Sequence, residues 1–158
     1  MRIRIKYFED AVRLKKIIKG NWIDVYANKD VFIKAGESAM IPLGFAMELP
    51  RGWEAHLAPR SSTFKTWGII QTNSVGVVDD TYIGDNDQWH MPVYCLKGKH
   101  TENSLTLSDG IKPEGTWIKK GDKIGQFRIM EVMPEIEFEE VDSLGNAERG
   151  GFGSTGMK

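Results

Sequence analysis

Met1-Arg2-Ile3-Arg4-Ile5-Lys6-Tyr7 alternates apolar and basic side chains from its first residue. A repeat of two puts the apolar set on one face of a strand and the cations on the other. The same short-period reading recurs in Trp22–Tyr26, Val31–Ile33, Met40–Ile41, Phe45–Leu49, Trp53–Leu57, Gly68–Ile70, Val75–Val78, Met91–Leu96, Gly115–Ile118, Ile124–Met130 and Glu135–Phe138. Gly20, Lys34-Ala35-Gly36-Glu37, Pro42-Leu43-Gly44 and Pro50-Arg51-Gly52 punctuate them as turns. Many short strands at near-regular spacing predict an all-β sandwich or barrel. Three stretches depart from the pattern. Residues 8–19 read as a short helix or an extended linker, Ser62–Trp67 as a helical turn, and the polar residues 97–116 as an extended hairpin or loop. No internal repeat divides the chain. Residues 1–140 are expected to form one β domain, and residues 141–158 a flexible glycine-rich arm.

With 158 residues and a net charge of −1, the chain suits a single domain with a real core and no global basic field for nucleic acid. Direct nucleic-acid binding is therefore not expected. The lone Cys95 excludes an internal disulfide framework. His56, His90 and His100 lack metal-ligand spacing and read as surface or packing residues. No apolar run approaches the roughly 20 residues of a membrane span, and no signal-peptide stretch opens the chain. The expectation is a soluble protein of the cytoplasm, without a membrane partner.

Four internal segments carry candidate chemistry. In Ala58-Pro59-Arg60-Ser61-Ser62-Thr63, a guanidinium followed by three hydroxyls suits phosphate. It equally suits a turn capped by Ser61 or Ser62, and a helix N-terminus is itself an anion site. In Asn73-Ser74-Val75-Gly76-Val77-Val78-Asp79-Asp80-Thr81-Tyr82, an apolar strand runs into paired carboxylates. A carboxylate at a strand end can orient a water as general base, and alternation lets only one of Asp79 and Asp80 face a given cleft. The alternative is a hairpin with solvated turn aspartates. In Lys119-Lys120-Gly121-Asp122-Lys123-Ile124-Gly125-Gln126, Gly121-Asp122 forms a turn and Gln126 can hydrogen-bond a ligand oxygen. Asp24, within an otherwise apolar strand, needs a partner, either a neighbouring cation or a solvated metal ion.

The last segment is Arg149-Gly150-Gly151-Phe152-Gly153-Ser154-Thr155-Gly156. Its glycines lose too much backbone entropy for it to order alone. A cation, a ring, two hydroxyls and close backbone amides are what a phosphate-bearing ligand with a flat base would order.

Taken in this order, the five segments resemble the trimeric dUTPases, over about residues 20–156. Pro59-Arg60-Ser61-Ser62-Thr63 and Gly84-Asp85-Asn86-Asp87-Gln88-Trp89 most resemble forms from bacteriophages and Gram-positive bacteria. The resemblance implies a jelly-roll (β-clip) sandwich, a homotrimer with active sites at subunit interfaces, and Mg²⁺-dependent hydrolysis of dUTP to dUMP and pyrophosphate. That activity limits uracil incorporation into DNA and supplies dUMP for dTMP synthesis, in a bacterial or phage-infected cytoplasm. It further implies that Asp79 deprotonates the water attacking the α-phosphate and that Tyr82 packs under the deoxyribose. Asn73 and the backbone of Gly76, Val77, Val78 and Asp79 would pair with the uracil edge. Arg60, Ser61, Ser62 and Gln126 would contact phosphates, and Asp24 would touch the metal through water. From the arm, Arg149 would bind the terminal phosphate, Phe152 cover the base, and Gly153, Ser154 and Thr155 close over the phosphates. The chain departs from the family pattern in having Ser62 where glycine is usual, a shorter Arg149–Phe152 spacing, and a longer stretch between Gly84 and Lys119. Two other readings remain beside this one: a nucleotide-binding regulatory protein that acts through a protein partner, and a dCTP deaminase-like enzyme.

Overall fold

The computed structural model describes residues 1–98, 100–101 and 114–150. Its strands are β1 (Arg4–Tyr7), β2 (Ile23–Tyr26), β3 (Val31–Lys34), β4 (Ser38–Pro42), β5 (Phe45–Glu48), β6 (Trp53–Pro59), β7 (Ile69–Gln71), β8 (Gly76–Val78), β9 (His90–Cys95), β10 (His100–Thr101), β11 (Glu114–Ile118) and β12 (Lys123–Glu131). One short helix, α1 (Thr63–Trp67), stands among them. The opening strand pairs antiparallel with β5, so Arg4 faces Glu48, its ion-pair partner. Three further sheets have the orders β10-β11-β3, β4-β9-β7 and β2-β12-β6-β8. Every pairing among the described residues is antiparallel, in keeping with the all-β class read from the period-two pattern and with the jelly roll that the resemblance implies.

The inward faces of these strands meet in one core. Phe45, Trp89 and Phe127 are all fully buried, with ring centroids 5.1 Å apart for Phe45–Trp89 and 5.2 Å for Trp89–Phe127. Tilted and edge-on packing at this range suits the ring quadrupoles. β12 is the spine, hydrogen-bonded to β2 on one side and β6 on the other. Gly125 fits a tight place there. A Cβ would lie 3.0 Å from Met91 Sδ and 3.1 Å from the Ala58 carbonyl oxygen, and the register shifts between Lys123 and Gly125.

Of the two alternatives for residues 8–19, a short helix or an extended linker, the structure takes the linker, with no helix there. Their backbone is committed elsewhere: Phe8 N donates to the Gly44 carbonyl and Leu14 N to the Tyr7 hydroxyl, while Arg13 lies 4.3 Å from the Tyr7 ring centre. Glu135–Phe138, read as a strand, is irregular, and Phe138 is 91% exposed. A strand needs a neighbour for its backbone groups, and none of the described strands pairs with this one. Of the 97–116 hairpin, β10 and β11 are paired, whereas residues 99 and 102–113 lie outside the described residues.

Candidate active site

β6 is a ruler for the site, because its two ends carry different chemistry. Beyond its last residue, Pro59, the chain turns through Arg60 into α1. Sheet register sets Gln126 between Asp24 on β2 and Ala58 on β6. Directly opposed residues share a face, so Asp24 and Gln126 lie side by side below Arg60. Arg60 Nε is 2.9 Å from Asp24 Oδ1, and Lys123 Nζ is 3.2 Å from Asp24 Oδ2. The partner that Asp24 needed is thus a pair of cations. Gln126 Nε2 donates to the Pro59 carbonyl at 3.2 Å.

Of the two capping candidates, Ser62 occupies the N-cap position of α1, but its hydroxyl makes no capping hydrogen bond. Thr63 does the anchoring that Ser61 or Ser62 was expected to do. Its fully buried hydroxyl accepts from Arg60 N at 2.9 Å and donates to the Ile124 carbonyl at 3.0 Å. The turn that presents Arg60, Ser61 and Ser62 is thereby tied to the spine strand.

The opposite end holds the paired carboxylates. β8 runs antiparallel to β6 with Val78 opposite Ala55, so Asp79 follows one step further, towards the Gly52 turn. The two aspartates separate as alternation requires. Asp80 Oδ2 accepts from Gly52 N at 2.6 Å and locks the strand end to that turn. Asp79 lines a cleft of about 290 Å³ with Met40, Val77, Val78, Tyr82, Gln88, Trp89 and His90. Thr81 donates its hydroxyl and its amide, the latter at 2.8 Å, to Asp79 Oδ1. These Thr81 hydrogen bonds, with a lesser one from the Tyr82 amide, hold the Asp79 carboxyl below the usual carboxylate range. Tyr82 donates its hydroxyl to the Gln88 carbonyl at 3.2 Å, which sets its ring at the cleft wall.

The hairpin before Asp79 is built from within. Gln71, nearly fully buried, donates Nε2 to the Leu57 carbonyl and to Asn73 Oδ1, at 3.0 and 2.9 Å. Ser74 takes a positive φ of 57°. Gly76 leaves room for the turn: a Cβ would sit 3.3 Å from that of Leu57 and 3.5 Å from Asn73 Nδ2.

Asp79 sits beside residue 54 of β6 and Arg60 lies six positions on, so about 20 Å separates them along the ladder. The structure gathers Asp24, Arg60 and Gln126 at one end, and Asp79 and Tyr82 at the other; within one protomer it does not join the two sets. Arg149 is exposed. Phe152, Gly153, Ser154 and Thr155 lie outside the described residues.

Among the described residues no group of three or more His, Cys, Asp or Glu could hold a metal ion. Asp24 alone, with both oxygens facing cations, does not fit a resident Mg²⁺. It suits an ion that arrives on phosphates and keeps most of its waters. No helix among the described residues is long and apolar enough to cross a membrane.

Reading the sequence passed over Thr63, Gln71, Thr81 and Lys123. Thr63, Thr81 and Lys123 stand inside segments it singled out, but their anchoring roles were not read. Gln71 gave no signal, because its tie to β6 is a backbone carbonyl 14 positions away.

Comparison with known proteins agrees with the geometry. A dUTPase family profile matches residues 22–92. The chain is 51% identical to the SPbeta prophage-derived deoxyuridine 5'-triphosphate nucleotidohydrolase of Bacillus subtilis, with both chains fully covered. It is 33% identical to the deoxyuridine 5'-triphosphate nucleotidohydrolase of Clostridium acetobutylicum over 100% of this chain and 99% of that one. In fold it resembles a Staphylococcus bacteriophage 80alpha dUTPase solved with dUpNHpp, at TM-score 0.74, 19% identity and 99% coverage of both chains. It likewise resembles the dUTPase of phage phi11 of S. aureus, described as coordinating a structural Mg(II) ion, at TM-score 0.71 and 22% identity over 91% of this chain and 99% of that one.

Proposed function

The chain belongs to the dUTPase family, and from that premise we propose that it hydrolyses dUTP to dUMP and pyrophosphate with Asp79 as general base. The observation that carries the assignment is the Asp79 cleft: a carboxylate whose ionised form is favoured, a tyrosine ring beside it, and a hairpin with an exposed turn at residues 72–75 leading into it.

Uracil pairs with the Asn73 side chain and the backbone of residues 76–79. Fixed backbone donors and acceptors discriminate between bases because a mismatched edge leaves buried groups unpaired. The Tyr82 ring lies under the deoxyribose and leaves no room for a 2'-hydroxyl. Asp79 takes a proton from a water as that water's oxygen bonds to the α-phosphorus. The bond from the α-phosphorus to the bridging oxygen breaks, and pyrophosphate leaves with the electron pair.

Asp79 and Arg60 are too far apart in one protomer to close on neighbouring phosphates, which supports a site shared between copies in a homotrimer. Arg60, Ser61, Ser62 and Gln126 of another copy then receive the phosphates, with Asp24 reaching the magnesium carried by dUTP through water. That ion offsets the charge of the triphosphate. Residues 141–158 form the arm that closes the site, with Arg149 on the terminal phosphate, Phe152 over the base, and Gly153, Ser154 and Thr155 around the phosphates.

Pyrophosphate release from dUTP with Mg²⁺, run beside dCTP, dTTP and UTP, tests the assignment. Turnover is expected with dUTP alone. Ammonia release from dCTP would replace it with a deaminase. Tight dUTP binding without turnover would move it to nucleotide-dependent recognition of a protein partner.

A further inference from the structure

The principal protein donors on the Asp79 side chain are the hydroxyl and amide of Thr81, which both converge on Oδ1, with a lesser contribution from the Tyr82 amide. The Thr81 amide alone would close the local turn, as backbone amides following an aspartate commonly do. The hydroxyl adds a second donor on the same oxygen. Thr81 is exposed, so water would satisfy that hydroxyl equally well if it pointed outward. Its direction is therefore not forced by burial. The same turn is closed by Tyr82 N on the Asp79 carbonyl at 3.3 Å, which brings the next side chain, Tyr82, to the wall of the same cleft.

We propose that Thr81 is a positioning residue for water activation: its hydroxyl and amide fix Asp79 Oδ1 and leave Oδ2 to face the attacking water. This rests on the assignment of Asp79 as general base. Two donors on one oxygen fix the carboxylate plane and confine proton uptake to the other oxygen. A base held in one orientation needs no reorganisation as the water approaches. Charge-assisted hydrogen bonds also favour the ionised form, in keeping with the depressed titration of this carboxyl. Serine could do the same work; alanine or valine could not.

The experiment compares wild type, Thr81→Val, Thr81→Ser and Asp79→Asn as full chains, measuring kcat and KM for dUTP with Mg²⁺ across pH. Thr81→Val is expected to lower kcat about tenfold, the loss of one charge-assisted hydrogen bond in the chemical step, with KM within about twofold. Its acid limb should move up in pH, because Asp79 loses a donor that favours its charged form. Thr81→Ser should restore both kcat and the limb. Wild-type kcat and acid limb in Thr81→Val, or a Thr81→Ser variant as slow as Thr81→Val, would overturn the proposal. If Thr81→Val does not fold, Thr81→Ala removes the same hydroxyl without a β-branch, and the same two readouts decide. An inactive Asp79→Asn beside an unaffected Thr81→Val defeats only the role of Thr81, whereas an active Asp79→Asn defeats the assignment beneath it.

Discussion

At one end of β6, Arg60 is held by residues far away in the chain; at the other, Asp79 is held by its near neighbours. The turn at Arg60 depends on Thr63 reaching the Ile124 carbonyl, 61 positions on, and Gln126 reaches back 67 positions to Pro59. The Asp79 hairpin also has longer ties, Asp80 to Gly52 and Gln71 to Leu57, but the hydrogen bonds from Thr81 to Asp79 and from Gln71 to Asn73 span only two positions. The difference separates two ways of building a site. The hairpin carries its own geometry and needs the sheet as a platform. The phosphate end exists only when β2, β12 and β6 are in register.

Asp79→Asn bears hardest on the local end. It should cut pyrophosphate release roughly 10²–10⁴-fold while leaving dUTP-analogue binding in place, since an amide cannot take the proton. In wild type the Asp79 carboxyl titrates below the ordinary carboxylate value of about 3.9. Its ionised form, and with it the acid limb of kcat/KM, which reports the free enzyme, should accordingly persist to lower pH than an unperturbed aspartate would allow. A limb above that value would contradict the assignment.

Thr63→Val tests the long-range end. It strands the Ile124 carbonyl and the Arg60 amide, and should cost about 1–3 kcal/mol in urea unfolding. An unchanged midpoint would mean that the Arg60 turn stands without its tie to β12. Arg60→Lys should raise KM for dUTP about tenfold with little change in kcat, because the charge stays while the guanidinium fork is lost. A kcat loss as large as that of Asp79→Asn would mean that the two ends act on the same chemical step. The smallest effect belongs to a pair in neither region. Arg4→Ala removes the exposed ion pair with Glu48 and should cost less than about 1 kcal/mol, with unchanged kinetics.

The contrast also explains what was legible beforehand. Asp79, Asp80 and Tyr82 could be read because their grouping is sequential and strand alternation separates the two carboxylates. Arg60 and Gln126 could be singled out by residue type, but their meeting with Asp24 could not be read from the residues themselves, because strand register is not written locally. Asp24 shows this plainly. Its apolar surroundings demanded a partner, and only the sheet named Arg60 and Lys123. Glu135–Phe138 shows the reverse error. Its alternation is genuine, but a strand also requires a neighbour, and periodicity carries no information about one.

The sequence by itself determined the all-β class, the turn positions and the residue types at each centre, because period-two alternation and turn chemistry are properties of a few adjacent residues. Tertiary structure alone decided that Asp80 ties the strand end to the Gly52 turn, that Thr63 anchors the Arg60 turn, and that about 20 Å of β6 separates Asp79 from Arg60. Those outcomes depend on which strands pair and in what register, and the core fixes that pairing cooperatively by burying Phe45, Trp89 and Phe127 together.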